Sequence, residues 1–221
     1  MTTLSAIEEN YLKYILQLGE MQNGNVKTND LAYKLEHSAA SVTDMLKRLA
    51  DKNLVVYKKY YGVSLTKSGL KIAVKILRKH RLWETFLAKK LKFTWDKIHV
   101  IAEQLEHVQS DELIDKMDEF LGFPKFDPHG DPIPDKHGNI SLPNVVSLAD
   151  AKMKKQYTLQ NVNDDSAAFL KYLNKIQLQL NDKIKIIDKE EFDETIQITI
   201  NDKKQLTISK DAAKNLFVKS I

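Results

Sequence analysis

The chain has 221 residues, of which 43% are hydrophobic, so it is long enough to bury one large core or two smaller ones. It contains no cysteine, which excludes a disulfide framework, a zinc–thiolate site and a cysteine nucleophile. The net charge of +4 is uneven: residues 1–79 carry 13 Lys and Arg against 7 Asp and Glu, and the remainder carries 21 against 23. A basic N-terminal third of this kind is typical of a nucleic-acid-binding head.

Membrane and export signals are missing from the sequence. No apolar run approaches the roughly 18 residues that a helix needs to span a bilayer. The N-terminus, MTTLSAIEEN, lacks the basic patch and apolar stretch of a signal peptide. Together with the lack of cysteine, this predicts a cytoplasmic protein without a membrane partner.

The N-terminal part of the chain predicts three helices followed by a hairpin. Apolar residues recur with the period of an amphipathic helix over 5–18, after Thr28 as an N-cap, and over 38–52. The period then changes, and 54–57 and 63–65 are short strand candidates on either side of a basic turn. Three helices and a basic-tipped hairpin are the order of a winged helix-turn-helix.

Three further helices are predicted in the middle of the chain. The first opens at Thr66 and runs to about Lys90, the second is capped by Thr94 or Asp96 and runs to about Val108, and the third extends from Ser110 to Leu121. Residues 123–144 hold all five prolines and predict an ordered loop or linker.

The tail predicts a small, mostly β domain of the SH3-like barrel kind. It combines one helix, 165–175, with runs rich in β-branched residues at 184–187, 195–200 and 205–208. Asn201-Asp202-Lys203 is a hairpin turn signal between the last two runs.

The predicted recognition helix carries small and hydroxyl residues at its start. In a helix-turn-helix the second helix enters the major groove, where its N-terminal residues reach base edges. Alanine methyl groups can contact a thymine methyl, and hydroxyls can bond to phosphates or bases. The candidate DNA-binding residues are Thr28, Ser38, Ala39, Ala40, Ser41, Thr43, Asp44, Lys47, Arg48, Lys58, Lys59 and Tyr60. The same architecture also occurs in protein-interaction modules.

Histidine and glutamate residues recur at helical spacing between residues 80 and 107. His80 and Glu84 are four residues apart on one predicted helix, and the next helix carries His99, Glu103, Glu106 and His107 on one face. The neighbouring positions are apolar, and a carboxylate buried among them is costly unless a cation compensates it. Singly, each of these residues is typical of a surface or core position, but the combination predicts a divalent-metal site.

With these residues the chain resembles the diphtheria-toxin-repressor family of iron- and manganese-dependent transcriptional repressors. The resemblance covers residues 4–135 and continues more weakly through the tail, where longer members carry an SH3-like domain. The matching segments are Glu9-Asn10-Tyr11-Leu12, Arg78-Lys79-His80-Arg81-Leu82 with Glu84, Leu105-Glu106-His107-Val108 with Ser110-Asp111, and His129-Gly130-Asp131-Pro132-Ile133-Pro134.

The resemblance implies a mainly α fold with a small β component and three domains. Residues 1–73 are expected to form a winged helix-turn-helix DNA-binding domain, 74–145 a helical metal-binding and dimerisation domain, and 146–221 a C-terminal SH3-like β domain.

The resemblance also implies ligands. Glu103, Glu106 and His107 correspond to the primary site that switches DNA binding, together with Asn10, where the family usually has Asp or Met. Lys13 stands where some manganese regulators have a carboxylate, which argues against a binuclear site of that kind. Glu84 and His99 correspond to ligands of a second site, and His80 also belongs to the metal region. The loop and the tail add further candidates, which are Asp127, His129 and Asp164 or Asp165.

The expected function is a metal-dependent repressor that binds a palindromic operator in double-stranded DNA as a homodimer and controls metal-uptake genes. Oxygen and imidazole donors without sulfur favour Mn²⁺, with Fe²⁺ as the alternative. The expected mechanism is that metal links the first helix to residues 103–107 and so fixes the DNA-binding heads for two half-sites. Neither an enzymatic activity nor a small organic substrate is expected.

Three alternatives lead to different observations. A metalloenzyme lacks support, because HExxH, Glu-x-x-His, a Gly-rich phosphate loop and a nucleophile elbow are all missing. A metal-independent winged-helix regulator predicts DNA binding that ignores chelators. A structural interaction module predicts no affinity for DNA at moderate salt.

Overall fold

The computed structural model describes residues 4–22, 24–163 and 166–221. Two compact units make up the chain. The first comprises Met1–His80, Gln104–Ile114 and Pro134–Asn139, and the second comprises Arg81–Glu103, Asp115–Ile133 and Ile140–Ile221. Among the helices of these described ranges, none combines the length and apolar character of a membrane span.

The described residues form eight helices and eight strands, numbered here in chain order. The helices are α1 (Ala6–Met21), α2 (Thr28–Leu35), α3 (Ala39–Asp51), α4 (Lys67–Lys89), α5 (Trp95–Leu105), α6 (Asp111–Phe120), α7 (Ala167–Ile176) and α8 (Lys210–Lys214). The strands are β1 (Val55–Lys58), β2 (Gly62–Leu65), β3 (Val146–Ser147), β4 (Gln156–Val162), β5 (Lys183–Lys189), β6 (Ile196–Ile200), β7 (Lys204–Ile208) and β8 (Leu216–Ser220).

The first unit contains the predicted winged helix-turn-helix. Helix α1 begins with a capping box in which Ser5 and Glu8 satisfy each other's backbone N–H groups. Helices α1 to α3 and the β1–β2 hairpin bury one apolar core that includes Leu12, Leu31 and Leu46. The fold predicted for this region from periodicity is therefore confirmed.

Two helix boundaries in the first unit test the capping predictions. Ser38 is the N-cap of α3, and its hydroxyl accepts a hydrogen bond from the Ser41 N–H at 3.2 Å. The prediction of Thr28 as an N-cap is wrong, because Thr28 is the first residue of α2 and the N-cap position is Lys27, which makes no side-chain cap bond. The backbone turn before α2 is instead held by the Val26–Val63 bridge to the hairpin.

Helix α5 is shorter than its periodicity predicted. It ends at Leu105 rather than Val108, and the Val108 N–H bonds to the Leu105 carbonyl at 3.3 Å to close a turn. Glu106 and His107 therefore lie in this turn and do not continue the helical face of His99 and Glu103. Glu106 is completely buried and hydrogen-bonded in the first unit, and these contacts stabilise the turn.

The second unit contains a six-stranded antiparallel sheet in the order β3-β8-β4-β5-β6-β7. Leu170 and Leu173 of α7 pack into its core with Ile184, Ile198 and Val218. The prediction of a small, mostly β C-terminal domain is confirmed, including the hairpin turn at 201–203. The sequence did not identify β3, β4 and β8 as strands.

The predicted helix 165–175 is found as α7, which begins two residues later. Its N-cap is Ser166, whose hydroxyl accepts the Phe169 N–H at 3.3 Å. Asp164 and Asp165 lie outside the described residues.

A loop in the second unit runs from α6 towards β4 and contains a glycine in close contact with that strand. Gly130 has φ +90°, and a Cβ at this position would lie 1.9 Å from the Gln160 carbonyl oxygen. The Val162 N–H bonds to the His129 carbonyl at 2.9 Å beside it. Only glycine satisfies both the backbone angle and the spacing here.

We expect Gly130→Ala to destabilise the second unit much more than Gly122→Ala. Gly122 also has a positive φ, +77°, but a Cβ there has no atom within 4 Å. Gly122→Ala is the control and measures only the backbone strain, about 1 kcal/mol. Gly130→Ala has the same strain and, in addition, an overpacking cost of about 1–3 kcal/mol. Urea unfolding of both variants measures the difference, and equal losses would show that the loop moves away from β4 without cost.

Candidate metal centre and nucleic-acid interface

Buried acidic and imidazole side chains meet in the second unit. Glu84 projects from α4, His99 from α5, and Asp127 and His129 from the loop that follows α6; we call these four residues the Glu84 centre. One ligand atom from each of Glu84, Asp127 and His129 lies within 4.8 Å of the others, and all three residues are buried. Glu84 Oε1 is 3.3 Å from His99 Nδ1 and 3.8 Å from His129 Nδ1.

Local hydrogen bonds hold the loop residues of the Glu84 centre in place. Asp127 Oδ1 accepts the backbone N–H groups of His129 at 2.8 Å and Asp131 at 3.0 Å, which forms an Asx-type turn. His129 Nε2 lies 3.4 Å from the Trp95 carbonyl oxygen, and its ring stacks on the Trp95 indole. A ring nitrogen engaged in this way fixes the tautomer and leaves Nδ1 directed at Glu84.

The Glu84 centre is deficient in positive charge. Burial raises the pKa of Asp127 well above its usual range, and the carboxyl groups of Asp131 and Glu84 raise it further. Arg81 opposes this from 3.7 Å, the distance between its Nε and Asp127 Oδ2. Asp127 Oδ2 is nevertheless buried, and it has no hydrogen-bond partner among the residues that the structure describes. A buried carboxylate oxygen with no donor is the site that a cation would fill.

The donors of the Glu84 centre fit a hard or borderline divalent ion. Carboxylate oxygens suit Mg²⁺, Ca²⁺ and Mn²⁺, and imidazole nitrogens extend the range to Fe²⁺ and Zn²⁺. Sulfur donors are absent, since the chain has no cysteine and no methionine belongs to the group. These residues are therefore suited to hold a divalent metal.

A second polar group, in the first unit, surrounds Glu106. Lys13 Nζ lies 2.8 Å from Glu106 Oε1 and 3.0 Å from Oε2, and His80 Nδ1 lies 2.5 Å from Oε2. We call Lys13, His80 and Glu106 the Glu106 centre. Burial raises the pKa of Glu106, but the hydrogen bond from His80 and the charge of Lys13 outweigh burial and hold it below its usual value.

The other predicted ligands lie around these two centres. Glu103 Oε1 is 3.6 Å from His99 Nε2, so Glu103 borders the Glu84 centre in the second unit. His107 Nδ1 is 2.6 Å from Glu9 Oε2, a partner that sequence reasoning did not include. Asn10 is half-buried, and its buried Oδ1 has no hydrogen-bond partner within the described part of the chain.

The predicted second-site residues Glu84 and His99 meet in the second unit. In the first unit, Glu106 and His107 contact residues of α1. The helical spacing of Glu9 and Lys13 on α1 was the signal that could have found the Glu106 centre. Asp165, the remaining predicted ligand, falls outside the described residues.

The start of α3 presents an exposed surface of small side chains. Ala39, Ala40 and Ser41 are exposed, and Ser38 Oγ and Ser41 Oγ are 2.9 Å apart. Thr43 is half-buried and donates its hydroxyl to the Ala39 carbonyl at 2.8 Å. The short side chains allow a nucleic-acid backbone or base edge to approach the helix closely.

Basic and polar side chains flank this surface within the head. Lys47 and Arg48 are exposed one turn further along α3, and Lys47 Nζ lies 3.3 Å from Asp44. The tip of the hairpin exposes Lys58, Lys59 and Tyr60. Thr28 is half-exposed at the start of α2. This set of exposed cations and hydroxyls is suited to phosphate contacts.

Three family models match consecutive parts of the chain. Residues 3–63 match the N-terminal DNA-binding domain of iron-dependent repressors, and residues 66–135 match their metal-binding and dimerisation domain. Residues 146–220 match the FeoA domain.

Solved structures and curated proteins agree with these matches. A structure described as a manganese-dependent transcriptional repressor in complex with manganese is 33% identical, with a TM-score of 0.90, and the match covers 97% of this chain and 100% of that one. The regulator MntR of Bacillus pumilus is 33% identical over 56% of this chain and 83% of its own length. The iron-dependent repressor IdeR of Mycobacterium leprae is 30% identical over 61% of this chain.

The match spans less than two thirds of some curated relatives, including 58% of IdeR. Across the manganese-dependent repressor structure, however, it extends over the full length. The family predicted from the residues is therefore confirmed, and its members are transcriptional repressors rather than enzymes. The chain belongs to the iron-dependent repressor family of metal-dependent, DNA-binding transcriptional repressors.

Proposed function

We propose that the chain is a Mn²⁺-dependent repressor that acts in the cytoplasm, binds a palindromic operator as a homodimer and controls metal-uptake genes. The observation that carries the choice of metal is the donor set of the Glu84 centre, which offers carboxylates and imidazoles without sulfur. The similarity to a repressor structure described as manganese-dependent supports the same choice.

Fe²⁺ is the second candidate, because IdeR, a relative named as iron-dependent, is 30% identical. Imidazole and carboxylate donors accept both ions, and the affinity order of divalent metals places Fe²⁺ slightly above Mn²⁺. Direct comparison of the two metals separates these candidates.

The residues of the Glu84 centre have separate roles in this proposal. Glu84, Asp127 and His129 would hold the metal with His99, and a bound divalent cation would supply the positive charge that the buried carboxylates lack. Arg81 donates to the Pro132 carbonyl at 2.5 Å and lies beside Asp127, so it positions the loop. Ligation by Asn10, Glu103 or Asp165 stays a prediction.

The DNA-binding head would act through the start of α3. Ala39 to Ser41 would face base edges. The cations that would contact phosphates are Lys47 and Arg48 on α3 and Lys58 and Lys59 at the tip of the hairpin. In a dimer, two such helices would read half-sites about one helical turn, roughly 34 Å, apart. We propose residues 1–73, 74–145 and 146–221 as the DNA-binding, metal-binding and C-terminal domains.

We expect Asp127→Asn and His129→Ala to weaken Mn²⁺ binding strongly. Asp127→Asn removes the negative charge of a buried ligand, and His129→Ala removes a buried ligand atom, so each loss should exceed the about 10- to 100-fold that follows loss of an outer-shell partner. Isothermal titration calorimetry on chelator-treated protein measures the change. The control is His137→Ala, in an exposed turn of the first unit. Unchanged affinity in both variants would contradict the assignment of the Glu84 centre.

Mn²⁺ binding should also release protons. The raised pKa of Asp127 means that its carboxyl group binds a proton more readily than usual without metal, and this proton must leave before the oxygen can bind a cation. Affinity is therefore expected to fall as pH is lowered. Calorimetry in buffers of different ionisation enthalpy gives the number of protons released, and this number should be smaller for Asp127→Asn than for the unmodified chain.

DNA binding should appear only with metal. We would measure fluorescence anisotropy of labelled DNA from upstream of this protein's own gene or of a metal-transporter gene, after chelation and then with Mn²⁺ or anaerobic Fe²⁺. The metal effective at the lower concentration identifies the physiological choice. Replacing Lys58 and Lys59 with Ala should lower affinity and reduce the salt slope by about 2, or about 1 per lost phosphate contact. Binding that is insensitive to chelator would favour a metal-independent regulator.

A further inference from the structure

A lysine is completely buried in the first unit. Lys13 lies on α1 between Leu12 and Tyr14, and its relative exposure is 0%. Lysines are almost never fully buried unless they are paired, because the ammonium group loses its hydration. The contacts of this side chain therefore indicate what the position requires.

Lys13 donates a hydrogen bond to Glu106 Oε2 and forms an ion pair with the same carboxylate. Among the described residues, Glu106 Oε1 has no hydrogen-bond partner, so the ammonium beside it supplies charge alone. Lys13 Nζ lies 2.8 Å from Glu106 Oε1 and 3.0 Å from Oε2, so it faces the two oxygens almost symmetrically. The ring of Tyr14 lies 4.8 Å from the same nitrogen and adds a cation–π contact. His80 Nδ1 approaches Oε2 from another side at 2.5 Å.

This arrangement conflicts with a metal at Glu106, which the family resemblance implied. A carboxylate oxygen binds a small divalent cation at about 2.0–2.2 Å. Both oxygens of Glu106 already have the Lys13 ammonium within 3.0 Å, so a metal ion would be brought close to a fixed positive charge. Asn10 supplies no negative charge to offset the repulsion.

We propose that Lys13 takes the place of a metal at the Glu106 centre: its ammonium is the cation that compensates Glu106 and joins α1 to the turn after α5 without metal. The conclusion goes beyond the proposed function, because it concerns a centre that the Mn²⁺ site does not include. It follows that the contact between α1 and Glu106 forms at any metal concentration, and that metal responsiveness depends on residues elsewhere.

The test is to remove the charge of Lys13 and count the metal ions bound. Lys13→Gln keeps a side chain that can hydrogen-bond to Glu106 and adds an amide oxygen, which can ligate a hard cation. Equilibrium dialysis of the full chain against Mn²⁺, with free Mn²⁺ read by electron paramagnetic resonance, gives the number bound. We expect Lys13→Gln to bind about one more Mn²⁺ per chain than the unmodified protein, since it restores a carboxylate in need of a cation.

The same measurement in a Glu84→Gln background separates the two centres. The Glu84→Gln protein that keeps Lys13 should bind no Mn²⁺. Adding Lys13→Gln to it should raise the number of bound Mn²⁺ ions by the same amount as in the unmodified background. Failure of the Glu84 assignment would change the starting number but not the increment, so the two conclusions fail independently.

Lys79→Gln is the matched control. It also removes a buried ammonium, but Lys79 Nζ donates to the Val108 carbonyl at 2.7 Å and not to Glu106, so no additional Mn²⁺ is expected. A folded Lys13→Gln protein that gains no Mn²⁺ overturns the proposal.

A second comparison leaves Lys13 intact, in case its replacement prevents folding. Adding Glu106→Gln to the Glu84→Gln protein should not change Mn²⁺ binding. Loss of bound Mn²⁺ on adding Glu106→Gln would show that the metal, and not Lys13, neutralises Glu106.

Discussion

The cost of burying a negative charge governs the functional part of this protein. Two carboxylates, Glu106 and Asp127, are removed from water in different units, and each requires a compensating group. Glu106 receives Lys13 and His80 from the chain itself. Among the described residues, Glu106 Oε1 and Asp127 Oδ2 both lack a hydrogen-bond partner. The Lys13 ammonium lies 2.8 Å from Glu106 Oε1, whereas the pKa of Asp127 is raised. The same physical constraint thus produces a closed ion pair in one unit and a site suited to a metal in the other.

We propose that this difference gives the two centres different functions. The ion pair of Lys13 and Glu106 is a permanent link in the first unit, since both partners are part of the chain. The Glu84 centre can change with the supply of an external cation, and such a group can act as a sensor because a ligand shifts an equilibrium only through differential binding. A family whose members are metal-dependent repressors requires a site of this second kind.

The surrounding fold determines how rigid the sensing group is. The Trp95 indole stacks on the His129 ring, and the Trp95 carbonyl oxygen accepts a hydrogen bond from His129 Nε2. Gly130 allows the loop to approach β4 at a distance that any side chain would prevent. Strand β4 of the small β domain hydrogen-bonds to the loop that carries two of the four residues of the Glu84 centre. The β domain therefore helps to position these two residues.

The spacing of hydrophobic residues along the sequence was enough to predict the winged helix-turn-helix, the succession of helices and the β character of the tail. These features depend on local hydrophobic patterns. The residue pattern between 80 and 107 also indicated a metal-binding family, since its donors recur at helical spacing. Only the tertiary structure decided that α5 ends at Leu105 and that Lys13 pairs with Glu106. Helical spacing specifies which residues share a face, but it does not specify where a helix stops when a buried ion pair stabilises the turn. For the same reason Lys13, which is distant in sequence from Glu106, acquired its role only through the contacts made on folding.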